Sequence, residues 1–321
     1  KRQDPHCRFE GETVAAAAAE TSYLAWDAVK TIDVAYEVLP VVSDERAARD
    51  QEAANVHPEG NKVGPPRSYE RGDVAKGFAE ADVVLAETYR TECEIHTPME
   101  LHGCVANWDG DRLTIWESTQ GVYRVQKNVA DILNLPLSKV RVIGHYMGGG
   151  FGSKLQAGKY TVIAALLARI SGRPVKMILS REETYLATGN RPPSNMTLKA
   201  GIKRDGSLTA LDFACTGTGG AYPAGGTSLV DWQVRDLYKC PNVRTTSTDV
   251  YINAGPARPF RAPGHPQGSW ALEQMLDALA EAIDMDPVDL RLKNISQVSQ
   301  ARDGQPPYTS TGFKDCLAEG A

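Results

Sequence analysis

The sequence predicts an α+β fold, and three observations support that prediction. Strand-like and helix-like apolar runs alternate along most of the 321 residues. A turn of three glycines at 148–150 joins a strand-like run at 140–144 to a helix-like run at 157–170. At 270–283 the apolar residues recur with the spacing of one helix face, which is the clearest helical pattern in the chain.

The elements before the glycine turn follow from apolar periodicity and from turn residues. The first part of the chain predicts a strand over 9–18, a helix over 21–30 and a strand over 31–36. The polar stretch 43–72 lacks periodicity, so it predicts a long connector and a domain boundary. The next elements are strands 83–89, 105–108, 113–116 and 140–144, a hairpin turn at 109–111 and an amphipathic helix at 122–133.

After the glycine turn, the helix 157–170 is expected to end at a left-handed Gly172, because Pro174 prevents its extension. The remaining elements are a strand at 175–179, a hairpin of strands 195–203 and 207–217, a strand at 245–251 and the helix 270–283. A last helix begins near Thr311 and runs into the final residue. Because the chain also starts at Lys1, we expect it to be a fragment or one part of a divided protein.

Composition excludes several classes of function. The net charge of -5 and the pI near 5.8 argue against a nucleic-acid-binding surface. No stretch is apolar enough to predict a membrane span. The six cysteines are scattered without a Cys-x-x-Cys pair, so the pattern predicts neither a zinc site nor an iron–sulfur ligand set nor a disulfide scaffold.

The segment Gly148-Gly-Gly-Phe-Gly-Ser-Lys154 is the strongest candidate for a binding site. A strand that ends in glycines and re-enters as a helix leaves backbone N–H groups free to bind an anion or an oxo group. The bulk of Phe151 within it indicates a flat or large ligand. Three other segments have the same character of a polar turn after an apolar run: 96–100, 118–121 and 259–267.

Two common nucleotide motifs do not fit this turn. Its glycine spacing differs from the Gly-x-Gly-x-x-Gly pattern of dinucleotide-binding folds, and no acidic residue closes a second strand about twenty positions later. The Walker pattern fails because Lys154 is followed by Leu155 rather than Ser or Thr.

Taken together, several segments resemble the molybdenum-cofactor subunit of the xanthine dehydrogenase and aldehyde oxidase family. They are Ser118-Thr-Gln120, the glycine turn, Phe260-Arg-Ala-Pro-Gly-His-Pro-Gln267, Tyr238-Lys-Cys-Pro-Asn-Val-Arg244 and Asp286-Pro-Val-Asp-Leu-Arg-Leu-Lys-Asn294. The resemblance implies the end of a hammerhead α/β domain over 1–60 and the first molybdopterin-binding domain over 67–296. Residues 297–321 would then lead towards a second molybdopterin-binding domain that the sequence lacks.

The resemblance also implies roles for individual residues. Gln120 matches the glutamine whose amide donates to an oxo ligand of molybdenum, and Phe151 lies beside the metal without binding it. The backbone of Gly148, Gly149, Gly150, Phe151 and Gly152 lies against the metal and the pterin. Phe260, Arg261 and Ala262 form the loop beside the cofactor, where a planar cation suits an anionic dithiolene-pterin. Gln120, Phe151 and Arg261 are therefore the candidate catalytic residues, and none ligates the metal directly.

Each of these residues also has a plainer interpretation. The glycine turn alone could be a tight connection, Gln120 a solvated amide and Arg261 a surface ion pair. His96 and Glu100 have the spacing of a metal pair, but Pro98 disfavours a helix between them, so a packing role is expected for His96. Arg191 and His265 are interpreted as loop residues.

The implied activity is oxidation of an aldehyde or an aromatic N-heterocycle, with water as the oxygen source. The cofactor would be molybdenum-molybdopterin, with the cytosine dinucleotide form as one option, and electrons would leave through 2Fe-2S and FAD groups on partner domains or subunits. Leu155, the region of Leu229 and Pro263 replace the residues with which relatives hold a purine. Cys215 and Cys240 do not match the copper-binding motif of carbon monoxide-oxidising relatives.

The family's catalytic base, a glutamate in a Gly-Glu-Gly setting, is missing from this sequence. We therefore expect the chain alone to be inactive without a second molybdopterin-binding domain or a second chain that carries it. The alternatives are a non-catalytic structural or assembly subunit, and one half of a split molybdenum subunit of nicotinate-dehydrogenase type. Cytoplasm is the default compartment, with the periplasm as the alternative if a partner carries an export signal.

Overall fold

The computed structural model describes residues 5–321, which divide into two compact units. The first unit contains the described residues up to Val41, Glu94–Arg191 and Asn253–Arg261. The second unit contains Val42–Cys93, Pro192–Ile252 and Ala262–Ala321. Each unit has its own sheet and its own buried apolar cluster.

The first unit is built on a four-stranded sheet. Its strands are β3 (Gly103–Asp109), β4 (Arg112–Glu117), β5 (Val140–Ile143) and β6 (Val175–Ile178), in the order β5-β4-β3-β6. β3 and β4 form a hairpin at Gly110, and β4 runs parallel to β5. The carboxyl ends of β4 and β5 therefore lie at the same edge of the sheet.

Two of the helices in this unit pack on the sheet through small and branched apolar residues. The helices are α1 (Ser22–Lys30), α3 (Val122–Leu133), α4 (Lys159–Ser171) and α5 (Arg181–Ala187), of which α3 and α4 share the core of the sheet. Ala164, Ala165 and Ala168 of α4 are buried, so the helix backbone approaches β3 closely. α3 ends at Asn134 and α4 ends at Gly172, both in the left-handed conformation that terminates a helix.

The second unit is built on a five-stranded sheet. Its strands are β1 (Arg67–Arg71), β2 (Val83–Thr91), β7 (Ser194–Ile202), β8 (Leu208–Thr218) and β9 (Asn242–Val250), in the order β1-β9-β8-β7-β2. β8 and β9 are parallel, and the other pairs are antiparallel. The helices are α2 (Val74–Ala79), α6 (Trp232–Asp236), α7 (His265–Ala282), α8 (Pro287–Asn294) and α9 (Phe313–Gly320).

The long helix α7 covers the five-stranded sheet and supplies much of the second core. Leu272, Met275, Leu276 and Leu279 are completely buried and belong to the same cluster as the inward-facing residues of β7. This one-sided apolar stripe is the pattern that predicted the helix.

The structure confirms the predicted α+β fold and most of the predicted elements. The predicted helices 122–133, 157–170 and 270–283 are present, with shifted starts at Lys159 and His265 for the last two. The strands predicted over 9–18 and 31–36 are wrong, because neither segment forms a ladder with another strand in the described chain. Without a neighbouring strand, the backbone N–H and C=O groups of an apolar run cannot form the hydrogen bonds of a sheet.

Several short elements were not predicted. β1 lies inside the stretch expected to be a connector, and it is stabilised by its pairing with β9. α2 begins at the capping residue Asp73, and α5 begins with a reciprocal capping box between Ser180 and Glu183. Among residues 5–321, no helix has both the length and the apolar character needed to cross a bilayer. The domain limits 1–60, 67–296 and 297–321 stay a prediction.

Candidate cofactor site at the glycine turn

The glycine turn leaves three consecutive backbone N–H groups without an acceptor in the part of the chain that the structure describes. The N–H of Gly148 donates to Glu100 Oε2 at 2.7 Å, and that of Gly152 donates to Gln120 Oε1 at 2.8 Å. Between them, the N–H groups of Gly149, Gly150 and Phe151 have no acceptor among residues 5–321. Gly149 and Phe151 have positive φ angles of 95° and 52°. Turns of this kind form concavities that bind anions.

Gln120 lies three residues after β4 and is held against this turn by both its backbone and its side chain. Its backbone N–H donates to the Lys154 carbonyl at 2.8 Å. Its Oε1 accepts from the N–H groups of Gly152, at 2.8 Å, and Lys154, at 3.4 Å. Because only the amide oxygen can accept from two N–H donors, the NH₂ group is the end that stays available. This NH₂ group has no acceptor in the described chain, and the residue is exposed.

Gly150 is required by the Gln120 side chain. A Cβ atom at position 150 would lie 2.6 Å from Gln120 Oε1 and 2.8 Å from its Cδ. Any larger residue would therefore displace the amide. The turn and Gln120 form one arrangement in which a directed neutral donor lies beside free backbone donors.

The loop 259–261 contacts the glycine turn through the backbone. The Arg261 N–H donates to the Phe151 carbonyl at 2.9 Å, and a Cβ at Gly152 would collide with the Pro259 carbonyl. Phe151 and Ala262 have positive φ angles, of 52° and 60°, which are unusual for residues with a side chain. Backbone strain of this kind often marks a functional site.

The ring of Phe260 is held between His96 and Arg191. The His96 ring centroid lies 4.6 Å away, and the Arg191 guanidinium carbon lies 4.4 Å from the Phe260 centroid. Arg191 also donates to the carbonyls of Phe260 and Arg261, both at 2.7 Å, and pairs with Glu94 at 2.9 Å. His96 Nε2 lies 2.7 Å from the Pro259 carbonyl oxygen.

Two sequence interpretations can be judged on these contacts. The packing role expected for His96 is confirmed, and within residues 5–321 no group of three or more His, Cys, Asp and Glu side chains could hold a metal ion. The interpretation of Arg191 as a simple loop residue is incomplete, because it lies between α5 and β7 but its guanidinium also donates to the carbonyls of Phe260 and Arg261. Its partners are distant in sequence, so no local pattern could have revealed this role.

The Arg261 side chain is exposed and has no hydrogen-bond or ion-pair partner in the described chain. The alternative interpretation as a surface ion pair therefore finds no partner among residues 5–321. Its backbone position beside Phe151 leaves a planar cation available for a ligand next to the free N–H groups.

Behind the turn, the buried Lys154 and the exposed Glu100 form an ion pair that sequence reasoning missed. The Lys154 side chain is completely buried, and its Nζ donates to Glu100 Oε2 at 3.0 Å and to Ser118 Oγ at 2.8 Å. Burial lowers the pKa of Lys154, although Glu100 opposes this shift. Burial raises the pKa of Glu100, but hydrogen bonds from Ser118, Gly148 and Lys154 outweigh it, and the net pKa is lowered.

Two further titratable groups lie buried in the same unit. Burial raises the pKa of Glu117 to about 7, and hydrogen bonds from Thr161 and Tyr160 offset only part of this shift. Burial and the positive charge of Lys154 lower the pKa of His102 to about 4.

The tautomer of His102 follows from its contacts. His102 Nε2 lies 3.0 Å from Ser153 Oγ, and the Ser153 hydroxyl donates to the Gly150 carbonyl at 2.8 Å. Because the hydroxyl proton is already used, Nε2 must carry the proton in this contact. A neutral histidine thus supports the underside of the glycine turn.

These residues fit an anionic pterin-dithiolene group with oxo ligands. Such a group needs hydrogen-bond donors and cations without a free carboxylate beside them. The free N–H groups of 149–151, the Gln120 amide and the Arg261 guanidinium supply those donors. The nearby carboxylate of Glu100 is already occupied by Gly148, Ser118 and Lys154.

Comparison with known proteins identifies the class of this chain. A family model for the molybdopterin cofactor-binding domain matches residues 56–295, and the chain belongs to this family. The resemblance to the molybdenum-cofactor subunit of the xanthine dehydrogenase and aldehyde oxidase family is confirmed.

Three particular relatives illustrate the match. The chain is 34% identical over 322 residues to the xanthine dehydrogenase molybdenum-binding subunit of Escherichia coli, covering 98% of this chain and 42% of that protein. It is 34% identical over 319 residues to the nicotinate dehydrogenase large molybdopterin subunit of Eubacterium barkeri, covering 98% and 75%. The crystal structure of quinoline 2-oxidoreductase from Pseudomonas putida 86 matches with a TM-score of 0.86 at 27% identity, covering 94% and 40%. The chain thus spans less than half the length of two of these three relatives.

Proposed function

We propose that the chain is the molybdenum-cofactor-binding part of a hydroxylase that oxidises an aldehyde or an aromatic N-heterocycle, with water as the oxygen source. One observation carries the proposal: the free N–H groups of 149–151 lie beside the oriented NH₂ group of Gln120. Nicotinate and quinoline, named in two of the relatives, are both aromatic N-heterocycles.

In this proposal the chain orients the cofactor rather than ligating its metal. The N–H groups of 149–151 and the Gln120 amide would donate to oxygen or sulfur atoms around the metal, and Phe151 would lie against the pterin. The exposed Arg261 guanidinium would bind an anionic part of the cofactor. The bound cofactor supplies the two-electron oxidation. An uncharged amide polarises an oxo group without adding a competing proton source.

The remaining parts of the reaction are assigned to partners. The base glutamate would come from a second molybdopterin-binding domain or a second chain, since no Gly-Glu-Gly motif occurs in residues 1–321. Electrons would pass to 2Fe-2S and FAD groups on partner domains or subunits. We also propose the cytosine dinucleotide form of the cofactor and a cytoplasmic location. The match to three quarters of the Eubacterium barkeri subunit favours a split molybdenum subunit as the alternative arrangement.

The activity can be tested on the complex purified with this chain. Nicotinate, quinoline, an aromatic aldehyde and xanthine would be assayed with an artificial electron acceptor in ¹⁸O-labelled water. We expect turnover with a heterocycle or the aldehyde, incorporation of one ¹⁸O atom into the product and little activity with xanthine. A product without ¹⁸O would contradict the proposal, and xanthine as the best substrate would contradict the preference for an aldehyde or a heterocycle other than a purine. A complex that is folded but lacks molybdenum would favour a structural subunit.

A further inference from the structure

We propose that Lys154 and Glu100 are positioning residues, which set the distance between the Gln120 amide and the free N–H groups of the glycine turn. The inference rests on the proposed function, since it assigns these residues to the same cofactor site. Neither residue is expected to touch the cofactor or the substrate.

Lys154 links the turn to the segment that carries Gln120. Its Nζ donates to Ser118 Oγ at 2.8 Å, and its carbonyl accepts from the Gln120 N–H at 2.8 Å and from Thr119 Oγ1 at 2.9 Å. Three consecutive residues after β4 are thus bound to this one lysine. A shift of Lys154 would move Gln120 together with the turn.

Glu100 holds the other end of the turn. Its Oε2 accepts from the Gly148 N–H at 2.7 Å, and its own N–H donates to the Gly148 carbonyl at 3.1 Å. A Cβ at position 148 would lie 2.6 Å from Glu100 Cβ, so this glycine makes room for the glutamate. Glu100 therefore fixes which backbone donor is used and which three stay free.

The ion pair is also needed to neutralise charge behind an anion-binding turn. Lys154 is completely buried, whereas the Glu100 side chain is 42% exposed. If Lys154 were lost, the Glu100 carboxylate would keep its charge without a neutralising partner and would repel an anionic ligand at the turn. With Glu100→Gln added, the side-chain amide oxygen would still accept from the Gly148 N–H and the repulsion would end. The two substitutions should therefore be strongly coupled.

This coupling can be tested by comparing the single and double variants in the complete complex. Lys154→Met should lower the molybdenum and pterin retained per chain by about tenfold, and it should change the Mo(V) electron paramagnetic resonance spectrum. The double variant Lys154→Met with Glu100→Gln should recover much of both. Lys139→Met is the matched control, because it breaks an exposed ion pair with Asp111 at 2.7 Å in the same unit. It should leave the cofactor content and the spectrum unchanged.

Hydrogen exchange separates positioning from a general role in stability. In Lys154→Met we expect faster exchange of amides in 118–121 and 148–154, with little change in α4. The inference is overturned if the double variant is no better than Lys154→Met, or if both variants unfold globally. It is also overturned if Lys154→Met keeps its cofactor, spectrum and exchange pattern. If the unmodified complex holds no molybdenum or pterin, the proposed function fails, whereas the exchange result still decides whether the pair positions the turn.

Discussion

Two pairs of glycines, one pair in each of two glycine-rich turns, differ in what they make room for. In the second unit, a Cβ at Gly219 would collide with the Ala224 carbonyl, and one at Gly226 with the Thr218 carbonyl. Those glycines let one stretch of backbone pass close to another. In the first unit, Gly148 and Gly150 make room for the Glu100 and Gln120 side chains, which are polar and hydrogen-bonded to the turn.

The difference shows why a count of glycines does not identify a site. Glycines packed against backbone are required for folding, because neither partner can move away. Glycines packed against oriented polar side chains are required for the placement of those groups. Substitutions in the two turns should therefore affect different measurements.

The largest effect is expected at Gln120. Gln120→Ala removes one directed donor, and a loss of about 10²–10³-fold in kcat is typical for such a donor. The folded structure should persist, because Gln120 is exposed. Gln126→Ala is the control, since this glutamine on α3 caps the Val140 carbonyl at 2.7 Å, away from the glycine turn. Steady-state kinetics, with rates corrected for molybdenum content, measure the effect. Equal rates for Gln120→Ala and the unmodified complex would remove Gln120 from the site.

Alanine at one glycine of each turn tests the comparison itself. Gly226→Ala should lower the free energy of unfolding by about 3 kcal/mol, because the added Cβ meets fixed backbone. Gly150→Ala should cost less stability, since the Gln120 side chain can move, but it should reduce kcat almost as much as Gln120→Ala. Denaturant unfolding and kinetics on both variants measure this. If Gly150→Ala were the more destabilising and kept full activity, the distinction between the turns would be lost.

Stability should also depend on pH through Glu117. Its pKa is about 7 in the folded chain against an ordinary 4.5, so the folded state binds the proton more tightly. Stability should therefore fall as pH rises from about 4.5 to 7, and the cost should persist above pH 7, at up to about 3 kcal/mol. Glu117→Gln keeps an acceptor for Thr161 and removes this loss. Unfolding at pH 5 and pH 8 measures it, and identical pH dependence in both proteins would contradict the assignment.

A smaller effect is expected at Arg261. If Arg261 binds the cofactor as proposed, Arg261→Ala removes a charge-assisted hydrogen bond, and the cofactor should dissociate about tenfold faster during dialysis. Arg141→Ala, which changes an exposed arginine on β5, is the matched control and should retain the cofactor normally. If both variants lost the cofactor at the same rate, a specific role for Arg261 would be refuted.

The sequence predicted those elements whose signals lie in neighbouring residues, such as the apolar face of a helix or the glycines of a turn. The helix 122–133 was predicted with its observed bounds because one of its faces is apolar, and the structure shows that it ends at a left-handed Asn134. The glycine turn and the segment of Gln120 were singled out because each is a polar turn at the end of an apolar run. The structure shows that they follow adjacent parallel strands, whose ends meet at one edge. The predicted strands at 9–18 and 31–36 failed because a strand depends on a partner elsewhere in the chain.

The supporting residues of the site were not predicted for the same reason. Lys154 and Glu100 are 54 positions apart, and the contact between them exists only in the folded unit. Arg191 meets Phe260 across 69 positions. Side chains so far apart in the sequence form no recognisable local pattern. The residues that would face the cofactor, in contrast, belong to short motifs.

The central claim is that the glycine turn and Gln120 form a molybdenum cofactor site. The most direct measurement is the molybdenum and pterin content of the purified native complex, by elemental mass spectrometry and fluorescence of the oxidised pterin. We expect close to one of each per copy of this chain. A folded complex that contains neither would contradict the claim and would leave Gln120 and Arg261 without a ligand.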